Sequence, residues 1–185
     1  MKALVIGGTG FLGGAIVEAV LNSGYSVDVL TRQELGSSQE GLRFITGDRY
    51  KALDLPQTYD FIFDTCGFEP EGIQNILKRI NKDQLKKYVF ISSVSVYSDY
   101  STPKLSESTR LVGAKKEDLD LASGIPHSER TSAYSYGGSY GPLKRECEKI
   151  LELELGCKAV LLRAGLLVGK GDYTDRFTWW VRRID

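Results

Sequence analysis

Short apolar runs alternate with helically spaced apolar positions almost from the first residue. Residues 3–6 form a continuous apolar run, the pattern of a strand buried on both faces, and lead straight into a glycine cluster. Beyond it, Leu12, Ile16, Ala19 and Val20 recur at helical spacing until Asn22, Ser23 and Gly24 break the pattern. Residues 27–30, 42–45, 61–63, 88–91 and 159–162 predict further strands. Ile73, Ile76, Leu77 and Ile80 mark an amphipathic helix, and a helix from about Tyr140 to Leu155 precedes the last strand. Such alternation predicts an α/β fold, a doubly wound parallel sheet of about six strands with helices on both faces. Residues 98–138 stand apart as Ser-rich, charged and weakly periodic, which predicts a long loop of the functional or mobile kind.

Composition narrows the function classes. The chain has 185 residues, enough for one domain or one and a fraction, and 42% hydrophobic content excludes a largely disordered chain. Lys plus Arg number 24 and Asp plus Glu number 24, a balance that argues against a general polyanion binder. Cys66, Cys147 and Cys157 form no CxxC pair, so neither a disulfide framework nor a metal site is expected. His127 is the one histidine and follows Pro126, where it reads as a solvated loop residue rather than part of a catalytic triad. With no long apolar run and too short an apolar start for a signal peptide, the expectation is a soluble, cytoplasmic protein without membrane contact.

The glycine cluster carries the first chemistry. Gly8, Gly10 and Gly13 satisfy GxGxxG, and Gly7, Gly10 and Gly13 satisfy GxxGxxG, between the first strand and the first helix. Glycine lets the backbone approach a pyrophosphate, whose charge meets free N–H groups at the helix start. A tight turn with close helix–strand packing is the plainer alternative. No GxxxxGK[ST] occurs, because the stretch from Gly165 to Gly171 is one residue short and lacks a hydroxyl after Lys170. An acid that would bind a ribose 2′-hydroxyl belongs at the end of the second strand, where this chain has Thr31 and Arg32. Arginine and a hydroxyl suit a 2′-phosphate, so NADP is expected in preference to NAD; Asp28 falls too early, in mid-strand.

Tyr140 and Lys144 stand four residues apart at a helix start, hence on one face. A phenol is a weak acid at neutral pH, and a neighbouring cation is expected to lower its pKa into a useful range. Pro142 is tolerated in a first turn, and Gly141 absorbs the backbone bias that proline imposes on its predecessor. Tyr100 and Lys104 share the spacing, but no apolar periodicity follows them, whereas Cys147, Ile150, Leu151 and Leu155 follow Lys144.

In this order and spacing, the glycine loop, residues 89–97, the Tyr140–Lys144 pair and residues 163–169 resemble the short-chain dehydrogenase/reductase superfamily. The resemblance is to its extended, NAD-dependent epimerase/dehydratase-like branch, whose nucleotide-binding part has a Rossmann-like fold. It implies that Ser93 hydrogen-bonds the substrate oxygen, that Tyr140 is the catalytic acid/base, and that Lys144 lowers the tyrosine pKa while holding the nicotinamide ribose. It implies phosphate contacts from Gly7, Thr9, Gly10, Phe11, Leu12 and Gly13, and adenosine contacts from Thr31 and Arg32. Asp48 and Arg49 match the adenine-side turn after the third strand, and Cys66 and Gly67 the point where the fourth strand passes the cofactor. Ser92 and Ser95 read as turn-forming hydroxyls.

Residues 1–170 are therefore expected to form the dinucleotide-binding domain with its catalytic Ser, Tyr and Lys, and residues 171–185 to begin a substrate-binding region that is cut short. The segment around Asp172 to Trp180 looks like isoflavone-reductase-like members or relatives of chloroplast RNA-binding proteins, and Phe177, Trp179 and Trp180 are expected to pack on something further. Arg163-Ala164 replaces the family's usual Arg-Pro. The leading expectation is an NADP-linked oxidoreductase acting on a small carbonyl or alcohol, with a homodimer as the assembly considered. A nucleotide-sugar epimerase/dehydratase with tightly held NAD, and a non-enzymatic cofactor-sensing or RNA-binding relative, are the alternatives.

Overall fold

The computed structural model describes residues 1–36, 39–56, 58–99, 101 and 103–184. Each apolar run becomes a strand: β1 (Lys2–Ile6), β2 (Ser26–Thr31), β3 (Leu42–Thr46), β4 (Phe61–Asp64), β5 (Lys87–Ser93) and β6 (Ala159–Ala164). They form one parallel sheet in the order β3-β2-β1-β4-β5-β6. Five helices accompany them among the described residues: α1 (Phe11–Asn22), α2 (Pro70–Leu77), α3 (Lys116–Gly124), α4 (Tyr140–Leu155) and α5 (Thr178–Ile184).

The unbroken apolar run of β1 has a direct physical reason. Ala3 and Val5 face α1 and join Val20, Val27 and Val29, while Leu4 and Ile6 face α2 and α4 and join Ile62, Ile73 and Leu151. A strand buried on both sides has no solvent face on which to alternate. Helices thus lie on both faces, as expected. On the α1 side the far edge stays open, and Leu162 of β6 is 47% exposed. Ile80, counted with the second helix from its spacing, is buried just beyond the end of α2.

Residues 98–138 are not the featureless loop that their composition predicts. They contain α3, whose start is held by the Asp118 carboxylate accepting from the Lys115 N–H at 2.7 Å and the Ser139 hydroxyl at 2.6 Å. The Arg130 guanidinium then fastens the segment to the start of α2, 3.0 Å from Glu69 and 3.1 Å from Glu71. Its Nε also donates to the Ile125 carbonyl at 2.9 Å. Periodicity missed this segment because polar contacts, not an apolar stripe, hold it. Tyr100, the tyrosine of the competing YxxxK match, lies outside the described residues. Among those residues no helix is long and apolar enough to cross a membrane.

Candidate active site

Chain order reverses between β1 and β4, and a crevice opens at the carboxyl ends of the strands on either side of that point. It is a cavity of about 680 Å³. At its centre the glycine loop turns at Gly7, with φ +82°, and enters α1 at Gly10. A Cβ on Gly13 would lie 2.1 Å from the Gly7 carbonyl oxygen, so glycine is obligatory for this close approach of helix to strand. No side chain caps the first turn of α1, which leaves its N–H groups turned to the cavity.

On the β5 side stand the three residues expected to be catalytic. Ser93 ends β5, and its Oγ accepts from the Ser95 N–H at 3.1 Å. Burial raises the Tyr140 pKa above its ordinary value, and hydrogen bonding with the Ser93 side chain works in the opposite direction. Lys144 is buried, and its Nζ donates to the carbonyls of Gly67 at 2.8 Å and Ile91 at 2.5 Å. The ammonium also lies 4.2 Å from the Phe90 ring centroid. Burial pushes its pKa down to about 8. The lysine is thus locked to the main chain, and the net shift of the phenol is upward, not the lowering expected from a neighbouring cation.

Beneath the cavity lies a buried charge network. Arg49 spans both oxygens of Asp64, at 2.9 and 2.6 Å, and the Tyr88 hydroxyl donates to the same carboxylate at 2.7 Å. Burial alone would raise the Asp64 pKa, but the Arg49 charge and these hydrogen bonds hold it below the usual carboxylate value. Burial raises the Cys66 thiol, so Cys66 stays protonated at neutral pH.

Residues 3–62 match the NAD dependent epimerase/dehydratase family. The glycine loop sits inside that stretch. Over that stretch the chain is similar to that family. The UDP-glucuronic acid 4-epimerase of Bacillus cereus, solved in complex with NAD, shares the fold at a TM-score of 0.65 and 19% identity, over 91% of this chain and 58% of that one. Vestitone reductase from alfalfa gives a TM-score of 0.57 at 23% identity, over 88% and 56%. The chloroplast stem-loop binding protein of 41 kDa b from Arabidopsis thaliana is 24% identical over 77% of this chain and 44% of its own length. This chain therefore spans about half the length of the relatives it matches.

Against that epimerase/dehydratase pattern, most of the expected cofactor residues line the cavity: Thr9, Gly10, Phe11 and Leu12 at the loop, Thr31 and Arg32 at the end of β2, and Asp48, Arg49 and Cys66. Gly67 does not. It is buried, and its carbonyl accepts from Lys144. Asp28, the acid set aside for falling too early, is occupied by Arg43 at 2.5 Å, Lys2 at 2.9 Å and the Tyr59 hydroxyl at 2.8 Å. His127 is not a solvated loop residue, for its ring stacks on Tyr50 with centroids 4.8 Å apart. Ser92 is no turn former either: it is buried and donates to Glu148 at 2.6 Å, beside Arg163 on the same carboxylate. That contact ties the strand of Ser93 to the helix of Lys144.

Several residues at the site have no signal in the sequence. Arg130, Thr131 and Ser132 reach it from the polar segment, and Tyr173 and Arg176 from beyond β6. Gly141 has a different role from the expected relief of proline strain. It is helical, and a Cβ there would lie 2.1 Å from the Ser95 carbonyl oxygen. Gly141→Ala is expected to cost about 1–3 kcal/mol through overpacking against a backbone that cannot yield. A thermal melt reads this directly, and an unchanged melting temperature would refute the close approach.

The residues present fit a bound dinucleotide. The uncapped helix start and the glycine approach suit a pyrophosphate. Among the described lining residues, five are cationic (Arg32, Arg49, Arg130, Lys144, Arg176) and Asp48 alone is acidic.

Proposed function

We propose that this chain is the cofactor-binding and proton-transfer part of an NADP-linked oxidoreductase of the extended short-chain dehydrogenase/reductase type, acting on a small carbonyl or alcohol. One observation carries it: Ser93, Tyr140 and Lys144 line the same cavity as the glycine loop, and no carboxylate stands at the end of β2. The cofactor, when bound, supplies the hydride acceptor or donor. Gly7, Gly10, Gly13 and the first turn of α1 hold its pyrophosphate, and Thr31 and Arg32 its adenosine end. Ser93 donates a hydrogen bond to the substrate oxygen, orienting it towards Tyr140. Tyr140, protonated at neutral pH because burial raises its pKa, gives its proton to that oxygen as negative charge develops there. Lys144, fixed by two carbonyls, holds a positive charge under the reacting centre below about pH 8. Residues 171–185 bring Tyr173 and Arg176 to the cavity and so begin its substrate side. Three unpaired cysteines favour a reducing compartment such as the cytoplasm.

The coenzyme preference rests on Arg32, which is exposed and whose one hydrogen bond among the described residues, to the His127 carbonyl, is long at 3.4 Å. Wild-type protein is expected to bind NADPH more tightly than NADH when nicotinamide fluorescence is titrated. Arg32→Ala is expected to weaken NADPH roughly 10- to 100-fold, the worth of a charge-assisted phosphate contact, and NADH by less than about threefold. Tighter NADH binding by the wild type would overturn the assignment to NADP.

A further inference from the structure

The five cations of the cavity are not equivalent. Arg49 is neutralised by Asp64 and Arg130 by Glu69 and Glu71, while Lys144 is spent on two carbonyls. Among the described residues, Arg32 and Arg176 form no ion pair. They stand at opposite ends of the site. Arg32 follows β2, and Arg176 comes from the segment after β6, which lines the cavity beside Ala164 and Gly165. Those strands are four spacings apart in the sheet, roughly 19 Å at about 4.8 Å each. On the oxidoreductase reading, a 2′-phosphate would supply the counter-charge of Arg32. Arg176, at the end that holds Ser93 and Tyr140, forms no ion pair among the described residues and feels only the more distant charge of Asp172.

The segment carrying Arg176 is built to put it there. Gly169 adopts φ +155° and lies over Phe11 of the glycine loop, where a Cβ would meet the ring at 3.5 Å. The chain then turns on Asp172, whose carboxylate accepts from the Thr174 N–H at 2.9 Å and from the Thr174 hydroxyl. The turn carries Arg176 to the cavity with its guanidinium beyond ion-pair distance of any carboxylate among the described residues.

We propose, resting on the oxidoreductase reading above, that Arg176 anchors an anionic group on the substrate, a carboxylate or a phosphate, beside the reacting carbon. A fork of guanidinium N–H donors is matched to both anions, and an unpaired charge at the catalytic end selects against neutral substrates. The test uses protein saturated with NADPH, so that Arg32 and the glycine loop are occupied. Inorganic phosphate and acetate are titrated separately at constant ionic strength while the fluorescence of bound NADPH is followed. At least one anion is expected to give a saturable change. Arg176→Gln is expected to weaken it roughly 10- to 100-fold with the NADPH affinity unchanged, and Arg176→Lys to restore part of it. The anion that responds identifies the source, phosphate or carboxylate. A wild-type complex blind to both anions, or an Arg176→Gln titration equal to wild type, would overturn the proposal. Loss of NADPH affinity in Arg176→Gln would also overturn it, by assigning Arg176 to the cofactor. Failure of wild type to bind NADPH at all would instead defeat the oxidoreductase reading.

Discussion

Tyr140→Phe is expected to lower NADPH-dependent carbonyl reduction by about 10²- to 10⁴-fold, the range for loss of a positioned proton donor. One oxygen is removed, the ring keeps its packing near Phe68, and Lys144 keeps both carbonyl partners, so the fold and NADPH affinity should stay close to wild type. The pH dependence gives a second check. Because the phenol's pKa is raised, Tyr140 carries its proton through neutral pH, and reduction should not fall until pH climbs through that raised value. Alcohol oxidation needs the phenolate as base and should therefore rise towards alkaline pH. NADPH consumption against a panel of aldehydes and ketones, with the reverse reaction on matching alcohols, measures both. A variant that retains wild-type turnover would remove Tyr140 from the chemistry.

The sheet was legible because its strands are buried on both faces. Such strands cannot alternate, and the continuous runs at residues 3–6 and 88–91 betrayed them with end errors of a residue or two. The glycine loop was legible for the related reason that backbone approaching backbone excludes every side chain, as Gly13 does against Gly7. What stayed hidden is held by charge rather than by period. Arg130 lies in a stretch with no apolar spacing, yet it pins that stretch to Glu69, a partner 61 residues earlier. Arg176 likewise sits after the last strand, where only the turn on Asp172 brings it to the cavity. Two signals were available and unused. Asp64 is an acid closing an apolar strand run, which demands a buried cation, and Glu148 stands one helical turn beyond Lys144 on the same face.

Arg49→Met is expected to be the most damaging substitution for stability, at about 3–5 kcal/mol, because it strands a fully buried carboxylate. Removing the guanidinium leaves Asp64 with the Tyr88 hydroxyl and the Cys66 N–H, neither of which carries charge. The pH response should then change sign. In the wild type Arg49 holds the folded Asp64 pKa below its ordinary 3.8, so the pair's contribution is complete above that value and is lost as pH falls through the depressed one. In Arg49→Met burial, the largest influence on Asp64, is opposed only by the Tyr88 hydrogen bond, the Cys66 N–H and the Lys144 charge, and is expected to raise the folded pKa above the unfolded one. The variant should therefore grow more stable as pH is lowered towards 4, where the wild type gains nothing. Urea unfolding at neutral and mildly acidic pH separates the two behaviours. Arg49→Met/Asp64→Asn, which removes the stranded charge while keeping an acceptor for Tyr88, should be more stable than Arg49→Met alone at neutral pH. If the double variant were no better, the cost would lie in lost packing of the arginine stem against Gly72 and not in the charge.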